Sequence, residues 1–177
     1  MRSIVFSDLD GTLINSAYEI TPKTLEAIRT LQEQEFPFVV VSARSPMGIE
    51  SVIKAYGIRC PIIALNGALI LDEQRRPIYT KGIRKSKAAV IVDFLEQDGY
   101  DTTWCVYAFD QWLVKGVSDP RIVNEASIVK TVAKAGEVRD VEGDEVHKIM
   151  CICDPKESVR LEKDLKIAFP KETVVRS

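Results

Sequence analysis

The first apolar-dominated stretch of the chain, residues 2 to 7, stops abruptly at Asp8-Leu9-Asp10-Gly11. A short apolar run closed by turn residues reads as a buried strand of a parallel sheet. Open α/β sheets hold their ligands outside the carboxyl ends of such strands, which is where this pair of acids falls. Asp-x-Asp-Gly also has two plainer readings. Aspartates at a strand end can cap the amides of a turn, and the same pattern opens a calcium loop. The calcium loop needs a helix before it, and here a strand stands there.

The next segments repeat one rhythm. Thr21 and Pro22 supply an N-cap and a first helical residue, with Leu25, Ile28 and Leu31 on one face. Phe38 to Val41 reads as a second apolar strand. Ser45 and Pro46 open a second helix, with Ile49, Val52, Ile53 and Tyr56 spaced for burial before Gly57, and Pro61 to Leu65 reads as a third strand. Strand, helix, strand, helix, strand implies a parallel sheet with right-handed crossovers. After residue 66 the rhythm changes. Ala68 to Leu71 and Pro77 to Thr80 flank a polar turn and predict a hairpin. A helix is expected over 86–98, from Ser86 as N-cap to a stop at Gly99. A second hairpin is expected from Thr102 to Tyr107 and Gln111 to Val117, then a helix from Asp119 and Pro120 and a strand from Val146 to Cys153. A helix capped by Asp154 and a last strand over Thr173 to Arg176 complete the reading. The expected organisation is a partial doubly wound α/β piece at 1–82 and a smaller α+β piece at 83–177.

Composition narrows the partners. The 177 residues are 46% hydrophobic and 28% charged, ordinary for a globular chain, and the formal charge is -2. No basic field suits nucleic acid or an anionic membrane, so neither is an expected partner. Asp8 interrupts the N-terminal apolar run, which excludes a signal peptide or membrane span there and makes the cytoplasm the expected location. The four cysteines form no C-x-x-C pair. Cys151 and Cys153 read as thiols on one buried strand face.

Two carboxylates this close have a specific use. One can attack phosphorus and form an aspartyl-phosphate, dividing a difficult hydrolysis into two easier steps. The other can protonate the leaving oxygen and then activate water. Gly11 lets the chain turn away, and Thr12 offers a hydroxyl and an amide toward an anion. Other chemistries lack parts. His147 is the single histidine and has no patterned nucleophile beside it, so it reads as a surface or satisfied core residue. Lys148 shares an alternating face with Val146, Met150 and Ile152 and reads either as a cap residue reaching substrate or, the plainer reading, as an edge lysine extending its charge to water. Trp104 and Trp112 read as cross-strand packing.

Asp8-Leu9-Asp10-Gly11-Thr12-Leu13 resembles the first motif of the haloacid dehalogenase superfamily, and Val40-Val41-Ser42-Ala43-Arg44 resembles its second. The Asn66-Gly67-Ala68 triplet, followed by a hairpin and an α+β insertion, resembles the Cof-type branch, which carries its cap there. The resemblance covers nearly the whole chain. It implies a HAD-like core sheet with an inserted α+β cap, and Mg2+-dependent removal of phosphate from a small metabolite such as a sugar phosphate. Asp8 would be the nucleophile and Asp10 the acid/base, both also serving the metal. Ser42 would bind the transferring phosphoryl group, Arg44 the substrate anion, and Asn66 would orient Asp10 or ligand. The family's third motif, a lysine, and its fourth, an acidic Gly-Asp-x-x-x-Asp segment, are not recognisable. Both belong after the cap in this branch, so a truncated core is expected, with an open strand edge available for self-association. A rival reading follows: a remnant that binds a phosphorylated ligand or a partner without turnover.

Overall fold

The computed structural model describes residues 3–97 and 99–170, which fall into two compact units, 3–81 with 129–131 and 82–128 with 132–170. In the first, β1 (Val5–Asp8) leads through a turn to α1 (Pro22–Glu33), β2 (Phe38–Val41), α2 (Pro46–Ile53) and β3 (Ile62–Ala64). The hairpin of β4 (Leu69–Leu71) and β5 (Pro77–Thr80) follows. The sheet order is β1-β2-β3-β4-β5, parallel between β1, β2 and β3 and antiparallel beyond. Local chemistry sets the helix starts. The Thr21 hydroxyl accepts from the Thr24 amide at 3.2 Å, the Ser45 hydroxyl accepts from that of Gly48 at 3.3 Å, and a proline follows each cap. Ile28, Ile49 and Ile53 are buried from these helices, with Val40 and Ile62 buried in the sheet.

Two expectations about β1 need correction. It begins at Val5, because pairing starts with Val5 opposite Phe38 and the residues before have no strand beside them; residues 1 and 2 lie outside the described part. It is also not buried. β1 is an edge strand paired only to β2, so Ile4 and Phe6 stand 53% and 59% exposed. Pairing likewise trims the third strand to Ile62–Ala64.

The second unit contains β6 (Ile83–Arg84), α3 (Lys85–Gln97), β7 (Thr102–Ala108), β8 (Gln111–Val114) and α4 (Pro120–Val129). Then come β9 (Lys134–Ala135), β10 (Glu145–Val146), β11 (Lys148–Cys153) and α5 (Pro155–Ala168). The main sheet runs β11-β7-β8-β9, and β6 pairs with β10. Ala88, Ile91, Val92 and Leu95 of α3 and Leu161 of α5 form a core with Trp104, Val106 and Leu113 of the sheet. Asp154 accepts from the amides of Lys156 and Glu157, so the expected cap of α5 is present.

Several boundaries differ from expectation for identifiable reasons. α3 starts at Lys85, whose amide donates to the Asp144 carbonyl at 2.8 Å, which leaves Ser86 inside the helix and not at its cap. The strand expected from Val146 to Cys153 breaks at His147, whose amide donates to Tyr107 instead. Val146 and Lys148 therefore belong to different strands, and the Lys148 ammonium lies over the Tyr107 ring at 5.8 Å. β8 ends at Val114, before Val117. Tyr107 opposes Trp112 and Val106 opposes Leu113, so Trp104 and Trp112 pack on opposite faces of the sheet. Trp112 stacks on Tyr107 at 5.7 Å, while the Trp104 indole donates to Glu96. The strand expected over Thr173 to Arg176 lies outside the described residues. No helix among the described residues is long and apolar enough to cross a membrane.

Candidate active site

Asp8 sits opposite Val41 in the parallel ladder, and the Leu9 amide donates to the Val41 carbonyl at 3.1 Å. Ser42, one residue on, donates its amide to Ile63 of β3 at 2.9 Å. Asp8 and Ser42 thus lie at the same end of neighbouring parallel strands. Beyond Asp8 the chain winds tightly. The Leu13 amide donates to the Asp8 and Leu9 carbonyls, and that of Ile14 to Leu9, with Gly11 at φ +76° making the reversal. Leu9, Leu13 and Ile14 are buried by this winding. Asp8, Asp10 and Thr12 are exposed in consequence, which puts both acids and the hydroxyl in reach of a ligand.

Ser42 is buried, and its hydroxyl oxygen accepts the Arg44 amide at 3.1 Å. Its own proton is left to donate. Arg44 forks onto Asp10, Nε to Oδ2 at 3.0 Å and Nη2 to Oδ1 at 2.6 Å. The arginine side chain is 9% exposed and the aspartate 46%. Leu65, Asn66 and Gly67 adopt left-handed φ in succession. This coil lets the Leu65 amide reach the Arg44 carbonyl at 3.0 Å and the Asn66 amide reach that of Ser42 at 3.4 Å, so the turn after β3 braces the end of β2. Asn66 is exposed there. Tyr18, which sequence reasoning passed over, brings its ring to 6.0 Å from the Arg44 guanidinium. An exposed tyrosine in a short loop carries no pattern that would have marked it.

Magnesium needs a near-octahedral set of oxygens. The Asp8 carboxylate and the Asp10 carbonyl provide part of one, and no group of three or more acids, histidines or cysteines among the described residues is placed to hold a metal. The residues fit magnesium only in part.

Other candidates are accounted for by structure. His147 is a satisfied core residue, its Nδ1 accepting the Phe109 amide at 3.3 Å and its ring edge-on to Phe109 at 4.8 Å. Burial pushes the Cys60 thiol up to about 11 and that of Cys151 to about 12, so neither favours a thiolate. A cleft of about 450 Å³ in the second unit is lined by Glu96, Trp104, Lys115 and their neighbours, and none of the strand-end residues contributes to it.

A Rossmann-like sheet whose first strand ends in two acids, with a hydroxyl ending the next strand and a compact α+β unit following, defines a class of enzyme scaffold. Within that class the chain belongs to the haloacid dehalogenase-like hydrolases, in their Cof-type branch, and the family model matches residues 5–177. A Haemophilus influenzae protein named "Putative phosphatase" is 32% identical over the whole of this chain, which spans 66% of that relative's length. Phosphatase YwpJ of Bacillus subtilis is 32% identical over 55% of this chain and 34% of its own. A haloacid dehalogenase-like hydrolase from Bacteroides thetaiotaomicron has the same fold, with a TM-score of 0.87 at 22% identity, covering 100% of this chain and 68% of that one.

Proposed function

We propose that this chain carries the nucleophilic part of a magnesium-dependent phosphohydrolase acting on a small phosphorylated metabolite, with sugar phosphates the foremost class. The observation that carries the reading is that the exposed Asp8 and the buried Ser42 fall together at the ends of adjoining parallel strands. The phosphatase names of the relatives point the same way.

In this reading an Asp8 oxygen attacks phosphorus and the bond to the ester oxygen breaks, leaving an aspartyl-phosphate. Asp10 gives its proton to the departing oxygen. Water then attacks phosphorus, Asp10 takes the water proton, the bond to Asp8 breaks and inorganic phosphate leaves. The Ser42 hydroxyl and the Thr12 amide donate to equatorial oxygens whose charge grows in the transition state. Magnesium would be held by the Asp8 carboxylate and the Asp10 carbonyl, and it would neutralise the phosphoryl charge. Arg44 changes partners, leaving one Asp10 oxygen free for the proton as it turns to the substrate anion, while Asn66 orients Asp10 or the ligand from the turn after β3. Residues 1–82 would form the core and 83–177 the cap. We place the protein in the cytoplasm and assign it no nucleic acid or membrane partner.

A second reading, ligand or partner binding without turnover, is favoured by one observation. The described residues hold no third acidic group for a metal. In it, the open edge of β1 with Ile4 and Phe6 serves self-association. Turnover of p-nitrophenyl phosphate and of a sugar-phosphate panel, with magnesium, by the chain joined to the part of the Haemophilus influenzae relative outside the match, with Asp8→Asn as the blank, separates the two. Hydrolysis abolished by Asp8→Asn supports the first, and phosphate-ester binding with no hydrolysis in either protein supports the second.

A further inference from the structure

The winding that begins at Asp8 continues into a loop with no role in the reading above. Ile14 and Ile20 are buried and pin its two ends, while residues 15–19 stand exposed. Within it the Asn15 carboxamide oxygen accepts from the amides of Ala17 at 2.9 Å and Glu19 at 3.1 Å. The Tyr18 amide donates to the Asn15 carbonyl, the Asn15 amide donates to Glu19, and the Tyr56 hydroxyl accepts from Ile20. The loop is short and internally bonded, so Tyr18 is held in one place.

Its backbone is left-handed, with φ 60°, a conformation an aromatic residue adopts only at a cost. The ring is not spent on a core, since Tyr18 is 48% exposed. It lies instead against the guanidinium that grips Asp10. An aromatic ring set against a cation that is itself paired with an acid, and still open on its remaining surface, offers a broad apolar contact at the rim of a polar site.

We propose that Tyr18 is a specificity-determining residue: its exposed ring face receives the organic part of the phosphate ester and favours esters with a ring, such as hexose phosphates, over open-chain ones. The proposal rests on the phosphohydrolase reading for the position of the phosphoryl group, and it adds a source of substrate choice within the first unit. A pyranose presents a face of C–H groups that packs on an aromatic ring, whereas a three-carbon ester is too small to cover it.

Binding decides the matter without requiring turnover. Isothermal calorimetry with magnesium, on the full chain carrying Asp8→Asn so that no ester is consumed, would compare glucose 6-phosphate, glycerol 3-phosphate and inorganic phosphate. The ring-bearing ester should bind about three- to ten-fold more tightly than the open-chain one. Tyr18→Phe should keep that preference and Tyr18→Ala should erase it, with affinity for inorganic phosphate unchanged. Tyr18→Asn guards against a folding artefact, because asparagine tolerates left-handed backbone while removing the ring, and it should also lose the preference. A preference that survives both ring-removing variants overturns the proposal, as does an equal loss for all three ligands, absence of preference at the outset, or absence of binding. If the preference behaves as expected while the chain joined to the remainder of the Haemophilus influenzae relative, with Asp8 intact, hydrolyses nothing, the ring site stands and the phosphohydrolase reading falls.

Discussion

Arg44 holds Asp10 by both carboxylate oxygens from 34 residues away, and in doing so occupies the atoms that acid/base chemistry would use. Proton transfer through Asp10 therefore needs the fork to open. In crystals soaked with tungstate, Arg44 is expected to release at least one Asp10 oxygen and point to the anion beside Ser42. Arg44→Ala should weaken phosphate binding by about ten-fold or more, the usual scale for losing a charged hydrogen-bond donor. An intact fork with tungstate bound elsewhere would sink this account.

Arg75 ties the turn between β4 and β5 to α2, pairing with Glu50 and donating to the carbonyls of Cys60 and Asp72 at 2.8 and 3.1 Å. Burial opposes ionisation of Glu50, but hydrogen bonds from Lys54 and Arg75 outweigh it and hold the carboxyl below its ordinary value. A lowered acid contributes stability above its unfolded value, about 4.3, that is lost as pH falls through the folded value. Arg75→Ala should cost about 1–3 kcal/mol near neutrality, because it strands buried partners. The deficit should shrink below about pH 4, in urea melts at several pH values. A deficit constant with pH would assign Arg75 a packing role alone.

What could be read before the fold was known was the local part. Thr21, Ser45 and Asp154 bond amides two or three residues away, so a short window of sequence reveals them. The strand-end position of Asp8 followed from an apolar run and a turn, which is also local. From its own residues β1 read as buried, and only the resemblance implied an open edge, because the exposure of Phe6 depends on which strands flank β1. The opposite faces of Trp104 and Trp112 depend on the register at the Phe109-Asp110 turn, where Phe109 takes φ 48°. Ser86 misled because a distant carbonyl, Asp144, takes the helix's first amide. Tyr18 and the Arg44 fork arise from contacts across the fold, and no periodicity encodes those.

Gly82 lies against β10, and a Cβ there would come within 2.8 Å of the Val146 carbonyl oxygen and 2.9 Å of the Glu145 Cβ. Backbone cannot step aside as a side-chain tip can. Gly82→Ala should therefore cost about 1–3 kcal/mol in chemical denaturation, the usual price of overpacking, and should raise hydrogen exchange at β6 and β10. Exchange unchanged at both strands would show that the contact relaxes freely.

Both tryptophans, Trp104 and Trp112, belong to the second unit, so their fluorescence reports on it selectively. Burial lowers the His147 pKa, with Glu145 opposing. The unfolded chain then takes up the proton first, and stability should decline as pH falls below the ordinary histidine value of about 6.5. His147→Gln should remove that decline between about pH 7.5 and 5.5, a window above most carboxylate titration. An unchanged slope would mean another group titrates there.

The last expectation concerns turnover by this chain alone. An aspartyl-phosphate transition state needs its charge met from several sides, and removing a single such donor typically costs about a hundred-fold or more. The described residues offer Ser42 and Arg44 at the end of the strand beside that of Asp8, with only a partial oxygen set for magnesium. The Haemophilus relative is longer, since this chain spans 66% of it. Hydrolysis of p-nitrophenyl phosphate by these 177 residues should therefore lie close to the Asp8→Asn blank. It should rise when the part of the Haemophilus protein outside the match is joined to the chain, and that gain should vanish with Asp8→Asn in the joined protein. Rapid turnover by the short chain would mean that the groups on these residues suffice or that a second copy completes the site. Gel filtration of the active species, with Phe6→Lys to charge the open edge of β1, would decide between those: activity lost together with the dimer points to a shared site, and activity kept by the monomer points to a complete one.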